Sequence, residues 1–115
     1  MKTTYKLYDN ITITYKGQYN LIKNMMENDY YNENMKSFQE YRSYLKGIKT
    51  YFKNLIDGLE TLDLIDDDDR CFLIQYHDET YRKYRKQLKS IYMDYDIQLT
   101  EKLDKIAHDL NENEW

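Results

Sequence analysis

The stretch from Asp66 to Gln87, DDDDRCFLIQYHDETYRKYRKQ, holds the densest set of side chains able to do chemistry. Asp66, Asp67, Asp68 and Asp69, followed by His77, Asp78 and Glu79, offer the oxygens and the imidazole nitrogen that a divalent cation takes. Their spacing argues against a metal site. If the aspartates enter a helix, successive side chains point about 100° apart and do not meet on one ion. The pattern is neither an EF-hand loop nor a His-Glu-x-x-His helix. Cys71 and His77 are six residues apart and fall on different helix faces, so they form no nucleophile–base couple within one helix. No glycine-rich phosphate loop and no Gly-x-Ser-x-Gly elbow occurs. These residues lead us to expect no catalysis, no metal and no cofactor.

The second chemistry on offer is nucleic-acid binding. Arg82, Lys83, Arg85, Lys86 and Lys89 alternate with Tyr81 and Tyr84, and Tyr92 follows one turn on. Such cations neutralise phosphates, and such rings stack on bases. Two features weaken the reading. The tyrosines coincide with an apolar stripe, and acids dominate the flanking sequence. A helix-turn-helix over 86–110 would need a small residue where MDYD stands, and its recognition helix would carry Glu101 and Asp104. The third reading accounts for the whole stretch: Asp66 to Asp69 cap a helix and meet the positive end of its dipole, and the bases flank and cover the tyrosines.

These side chains need elements to position them. The 115-residue chain has no proline and three glycines, with 33% charged residues and a net charge of −4. Few breakers mean few, long elements. Met35, Phe38, Tyr41, Leu45, Ile48, Phe52, Leu55, Leu59 and Leu62 recur every three or four residues, which predicts a long helix over 34–62. Leu73, Tyr76, Tyr81, Tyr84, Leu88, Ile91 and Tyr95 keep that rhythm, with a looser step after Tyr76, and predict a second over 67–95. Leu99, Leu103, Ile106 and Leu110 continue it as a helix over 97–111. We expect a break near Tyr95-Asp96-Ile97, where the charge sign changes, although one continuous helix is the alternative. Residues 18–31 read as a further helix. The β-branched alternation Ile11, Ile13, Tyr15 predicts a strand within 1–17, with Tyr5–Tyr8 as its hairpin partner. The last five residues are expected to fray.

The expected architecture is therefore one mainly α domain over 1–115. It is a helical hairpin or small bundle of three to four helices with a short N-terminal strand or hairpin. A tight acidic turn, Asp63 to Asp66, would join the two long helices as an antiparallel pair. No apolar run is long enough for a signal peptide or a membrane span, and one cysteine suits a reducing compartment, so a cytoplasmic location is expected.

Fourteen tyrosines stand against three phenylalanines and one tryptophan. Exposed tyrosine is favoured at interface centres, although an AT-rich genome explains the Tyr, Asn, Lys and Ile bias equally well. In size, acidity and composition the chain is similar to small accessory proteins of phages and mobile elements in AT-rich bacteria, of which anti-CRISPR and phage-interference proteins are examples. That likeness covers no alignable motif. It implies a non-catalytic interaction protein that binds and inhibits or redirects a host or competitor protein, with acidic faces as a nucleic-acid mimic. Partner-binding candidates are Asp66 to Asp69 and Tyr81, Arg82, Tyr84, Arg85, Lys86, Lys89 and Tyr92. A protein partner is expected, with a homodimer as one form of it and nucleic acid as a weaker option. The alternatives are a transcription regulator touching DNA or RNA polymerase through 81–89, and a structural oligomer subunit.

Overall fold

The structure, a computed structural model, describes residues 2–113, with side chains over 4–110. It contains three helices: α1 (Lys2–Tyr31), α2 (Phe38–Thr61) and α3 (Asp67–Asn113). They form an up-down-up bundle. Tyr8 and Tyr30 of α1 meet Tyr76 and Tyr95 of α3, so these helices run parallel. Phe38 of α2 meets Tyr92, while Asp57 near its other end meets Arg70, so α2 runs against α3. The molecule is a rod of 76 × 19 × 16 Å.

The helix ends follow from local chemistry. Ser37 caps α2 by accepting from the Glu40 amide at 3.3 Å, and a glutamate three residues after a serine is the capping-box spacing. Asp66 caps α3 through Oδ1, 2.7 Å from the Asp69 amide, with Asp67, Asp68 and Asp69 in the first turn. The aspartate run is thus a helix start, which favours carboxylates beside free N–H groups. Helices α1 and α2 stop in the same way. The Asn34 amide returns to the Asp29 carbonyl at 2.8 Å and the Leu64 amide to that of Leu59 at 2.9 Å, which closes a Schellman motif at each end. The left-handed residue each motif needs is Glu33 (φ 57°) and Asp63 (φ 58°), positions that glycine usually fills.

Two expectations are corrected. The N-terminal strand or hairpin over 1–17 is instead the first half of α1, continuous with the helix expected at 18–31. Leu7, Ile11, Tyr15, Ile22 and Met26 are all buried, whereas Ile13 is 67% exposed. Ile11 and Tyr15 are therefore helical neighbours four residues apart, and the period-two alternation was carried by a residue facing water. The second correction concerns 97–111, which is the continuation of α3 rather than a fourth helix. A change of charge sign does not interrupt backbone hydrogen bonding, and no glycine or proline falls between residues 67 and 113. The Tyr30 ring against Tyr95 and its hydroxyl donating to Gln98 Oε1 at 3.0 Å hold α3 straight across the expected break. Of the residues expected to fray, 111–113 are helical, and Glu114 and Trp115 lie outside the described residues. No helix among the described residues is long and apolar enough to cross a membrane.

The core is a column of apolar side chains with tyrosines at its centre. The Tyr15 ring lies among Phe52, His77, Tyr81 and Tyr84, with centroids 5.5 to 6.5 Å away. His77, which the sequence stripe passed over, fills the step between Leu73 and Tyr81.

Gly17, Gly47 and Gly58 sit in helix interiors with open space where a Cβ would stand. No close helix approach uses them. Gly17→Ala and Gly47→Ala should each raise unfolding stability by about 0.5–1 kcal/mol in urea titrations. Asp63→Gly should add about 1 kcal/mol by relieving the left-handed backbone. A loss at Gly47 would show a neighbour closer than the bundle places one.

Candidate functional site

The expected partner-binding residues do not form one surface. Tyr81 and Tyr84 are 6% and 8% exposed and face the core, so they are not stacking platforms. Arg82, Arg85, Lys86 and Lys89 are exposed along the outer side of α3, and Tyr92 is half-buried against Phe38 and Tyr41. Lys49 lies 4.8 Å from the Tyr81 ring centre, the Arg85 guanidinium 5.9 Å from it, and Lys83 5.3 Å from that of Tyr84. The cations thus cover the rims of the buried rings with their stems while their charges stay wet.

The acidic candidates sit about 20 Å further down α3, at the rod end where α2 turns into it. Asp66, Asp67 and Asp68 are exposed and Asp69 is half-buried. Not all of this charge is free. Asp66 serves as the cap, while Asp57 and Glu60 hold Arg70 at 3.0 and 3.6 Å. The same end carries three large apolar side chains that the stripe did not single out as surface: Leu62, Leu64 and Phe72 are 70%, 62% and 62% exposed. Carboxylates and bare apolar groups are therefore mixed at one tip. Leu64 and Phe72 lie off the three-and-four rhythm, whereas Leu62 was expected on the buried stripe and is exposed because α2 ends at Thr61.

A third cluster lies at mid-length. His77 is fully buried, and its Nε2 is 2.6 Å from the Tyr15 hydroxyl. Its Nδ1 is 4.0 Å from Asp78 Oδ1. With Tyr15 donating to Nε2, the neutral ring carries its proton on Nδ1, which faces Asp78 across a gap too long for a hydrogen bond. Burial holds the imidazole below its ordinary range. Asp78 opposes that shift and Lys49 adds to it. Burial, with Tyr81 and Asp78 beside it, drives the Tyr15 phenol well above its own range. A cleft of about 210 Å³ outside the pair is lined by Lys49, Lys53, Arg70, Ile74, His77 and Asp78. The ring nitrogen on its core side is committed to Tyr15, so His77 acts as a neutral cross-link between α1 and α3. It stands apart from Asp66 to Asp69, with which it was weighed as a ligand. Among the described residues no three His, Cys, Asp or Glu side chains gather as a metal ion requires.

No protein family, curated protein or solved structure matches this chain.

The His77 shift has a definite sign. Its folded pKa lies below the unfolded value of about 6.5, so the unfolded chain binds the proton first. This contribution to stability is complete above pH of about 6.5 and declines as pH falls through and below it, by at most about 1.4 kcal/mol per unit. Urea midpoints measured from neutral pH down to the onset of carboxylate titration should fall for the natural chain. They should stay level for His77→Gln, at a lower absolute stability. Parallel slopes in the two proteins would show that His77 does not titrate with unfolding.

Proposed function

We propose that this is a non-catalytic interaction protein, of the phage or mobile-element accessory kind, that binds and inhibits or redirects a host or competitor protein. The observation that carries the reading is the mixed tip at the α2–α3 bend. A channel that binds nucleic acid combines cations for phosphates with apolar and aromatic faces for bases. Asp63, Asp66, Asp67 and Asp68 beside Leu62, Leu64 and Phe72 present the complement of both on a preformed helical end. Exposed leucine and phenylalanine in such a ring of charge supply the desolvated centre that interface energetics require, and the carboxylates supply rate and orientation. A second, separate set of carboxylates, Asp94, Asp96, Glu101 and Asp104, lies beyond the basic strip on the other half of α3.

The rival reading, a regulator touching DNA or RNA polymerase, draws on the exposed Arg82, Arg85, Lys86 and Lys89. With Tyr81 and Tyr84 turned inward, that strip offers phosphate contacts without base stacking.

Two charge-reversed proteins separate the readings. Asp67→Lys with Asp68→Lys spares the Asp66 cap. Arg82→Glu, Lys83→Glu, Arg85→Glu and Lys86→Glu reverse the strip. Affinity capture from the natural host's lysate should yield a basic nucleic-acid-binding protein with the natural chain and with the reversed strip, and lose it with the reversed aspartates. Salt-sensitive binding to a labelled DNA duplex that disappears on reversing the strip would replace the inhibitor reading with the regulator one. A large assembly of the purified chain in light scattering would favour a structural subunit.

A further inference from the structure

Helix α3 outruns its neighbours. Tyr30 to Gln98 and Glu33 to Lys102, the latter at 3.1 Å, bridge it to the rest of the bundle at the end of α1. Beyond Lys102 the described part of α3, residues 103–113, projects for about 16 Å. Along this segment Leu103, Ile106 and Leu110 are 64%, 47% and 61% exposed, and Leu99 is half-buried at its root. Leu99, Met35, Leu103 and Ile106, with Glu33 and Lys102 at the edge, line an open groove of about 350 Å³.

The spacing on this segment repeats that inside the bundle, where His77, Tyr81, Tyr84 and Leu88 step by 4, 3 and 4 against α1 and α2. Leu99, Leu103, Ile106 and Leu110 step by 4, 3 and 4, the a/d seam of a two-helix coiled coil. The residues flanking that seam are few and specific. One side carries Thr100 and Ala107, both small, and the Thr100 hydroxyl is already bonded to the Asp96 carbonyl at 2.9 Å. The other side carries Lys102 and Asp109, of opposite sign.

From this we propose that the projecting segment of α3 pairs antiparallel with the same segment of a second copy of this chain, Leu103 lying opposite the second copy's Ile106. In that register Leu99 faces the other Leu110, so the seam closes in four layers. Lys102 lies within about 3 Å along the axis of the other chain's Asp109, and Thr100 is as close to the other Ala107. Two-fold symmetry makes each pair occur twice. A shift of one heptad either way sets Asp109 against Asp109 or Lys102 against Lys102. A parallel pairing sets Lys102 against Ala107 and packs the two bundles abreast. Only the antiparallel, Leu103-to-Ile106 register matches charge, size and seam together. Lys102 keeps its own Glu33 and gains Asp109 across the interface, which its three N–H donors allow. Met35 forms the lateral wall against which the second copy's Leu110 packs. The dimer is a rod of about 115 Å with the acidic tips at its far ends.

Sedimentation equilibrium over micromolar to millimolar concentrations, with X-ray scattering of the same samples, tests this. The natural chain should pass from one to two copies, and the longest dimension should grow to about 115 Å. Asp109→Lys alone, or Lys102→Asp alone, should weaken association about tenfold, since an attraction becomes a repulsion twice over. Measured in a Glu33→Gln background, so that no carboxylate stands beside position 102, the double variant Lys102→Asp with Asp109→Lys should restore it, because the swapped charges meet again across the two-fold axis. Leu103→Asp should leave a monomer with undiminished helix content. A chain that stays monomeric to millimolar concentration overturns the proposal and leaves the stripe to a foreign partner. A dimer indifferent to both single reversals, or not rescued by the double, places the contact elsewhere and overturns it equally. None of these outcomes depends on whether the acidic tip binds a host protein.

Discussion

A tyrosine placed in a core brings a ring that gains from burial and a hydroxyl that must find a partner. This bundle uses that double demand to set its register. The Tyr15 hydroxyl meets His77, that of Tyr76 meets Thr12, and that of Tyr30 meets Gln98, all between α1 and α3. Tyr41 of α2 donates to Asp29 of α1 at 2.6 Å and accepts from the Lys36 amide at 3.2 Å, which fastens the connection between them. Burial and the bond to Asp29 push the Tyr41 phenol up to about 12. A sliding motion of α1 by about 1.5 Å would still cover Leu7, Ile11 and Ile22, but it would strand each hydroxyl. Apolar packing here supplies cohesion, and the tyrosine oxygens choose among the packings.

The long helices were legible because stripes of three-and-four spacing over many turns have no other reading. The acidic run was legible as a helix start for a similar reason, since four aspartates ahead of an apolar rhythm suit free N–H groups better than anything else. Helix α1 was obscured by Ile13. One exposed β-branched residue between two buried ones imitates the period of a strand, and only the continuation through Ile22 and Met26 restores the helical face. His77 was obscured by its type. A histidine among Asp78, Lys83 and Arg82 looks like chemistry, whereas the Tyr15 partner that explains it is 62 residues away. The exposed cluster of Leu62, Leu64 and Phe72 depended on where the α2–α3 bend ends, and sequence fixes such boundaries least well.

Charge is sorted along the rod rather than around it. The bend carries carboxylates, the middle of α3 carries bases, and the projecting end turns acidic again with Lys102 and Lys105 interspersed. Opposite faces of a bundle 19 Å across are about two screening lengths apart and the ends of the 76 Å axis are many, so charge sorted along the axis reaches a partner as well-separated patches. The length of α3 is therefore an electrostatic device as well as a mechanical one.

The parallel pairing of α1 with α3 also sets how much chain must be looped to bring their contacts together. Contacts between α2 and α3 close across the bend at 62–66 and cost little loop entropy near it. Those between α1 and α3 join residues 62 to 68 positions apart and become available only after the chain has reversed twice. The tyrosine bonds to α3 thus close longer loops than the contacts across either bend, Tyr41 to Asp29 between α1 and α2 among them. A nascent chain emerging amino end first holds α1 without its principal partner until nearly the whole sequence has been made.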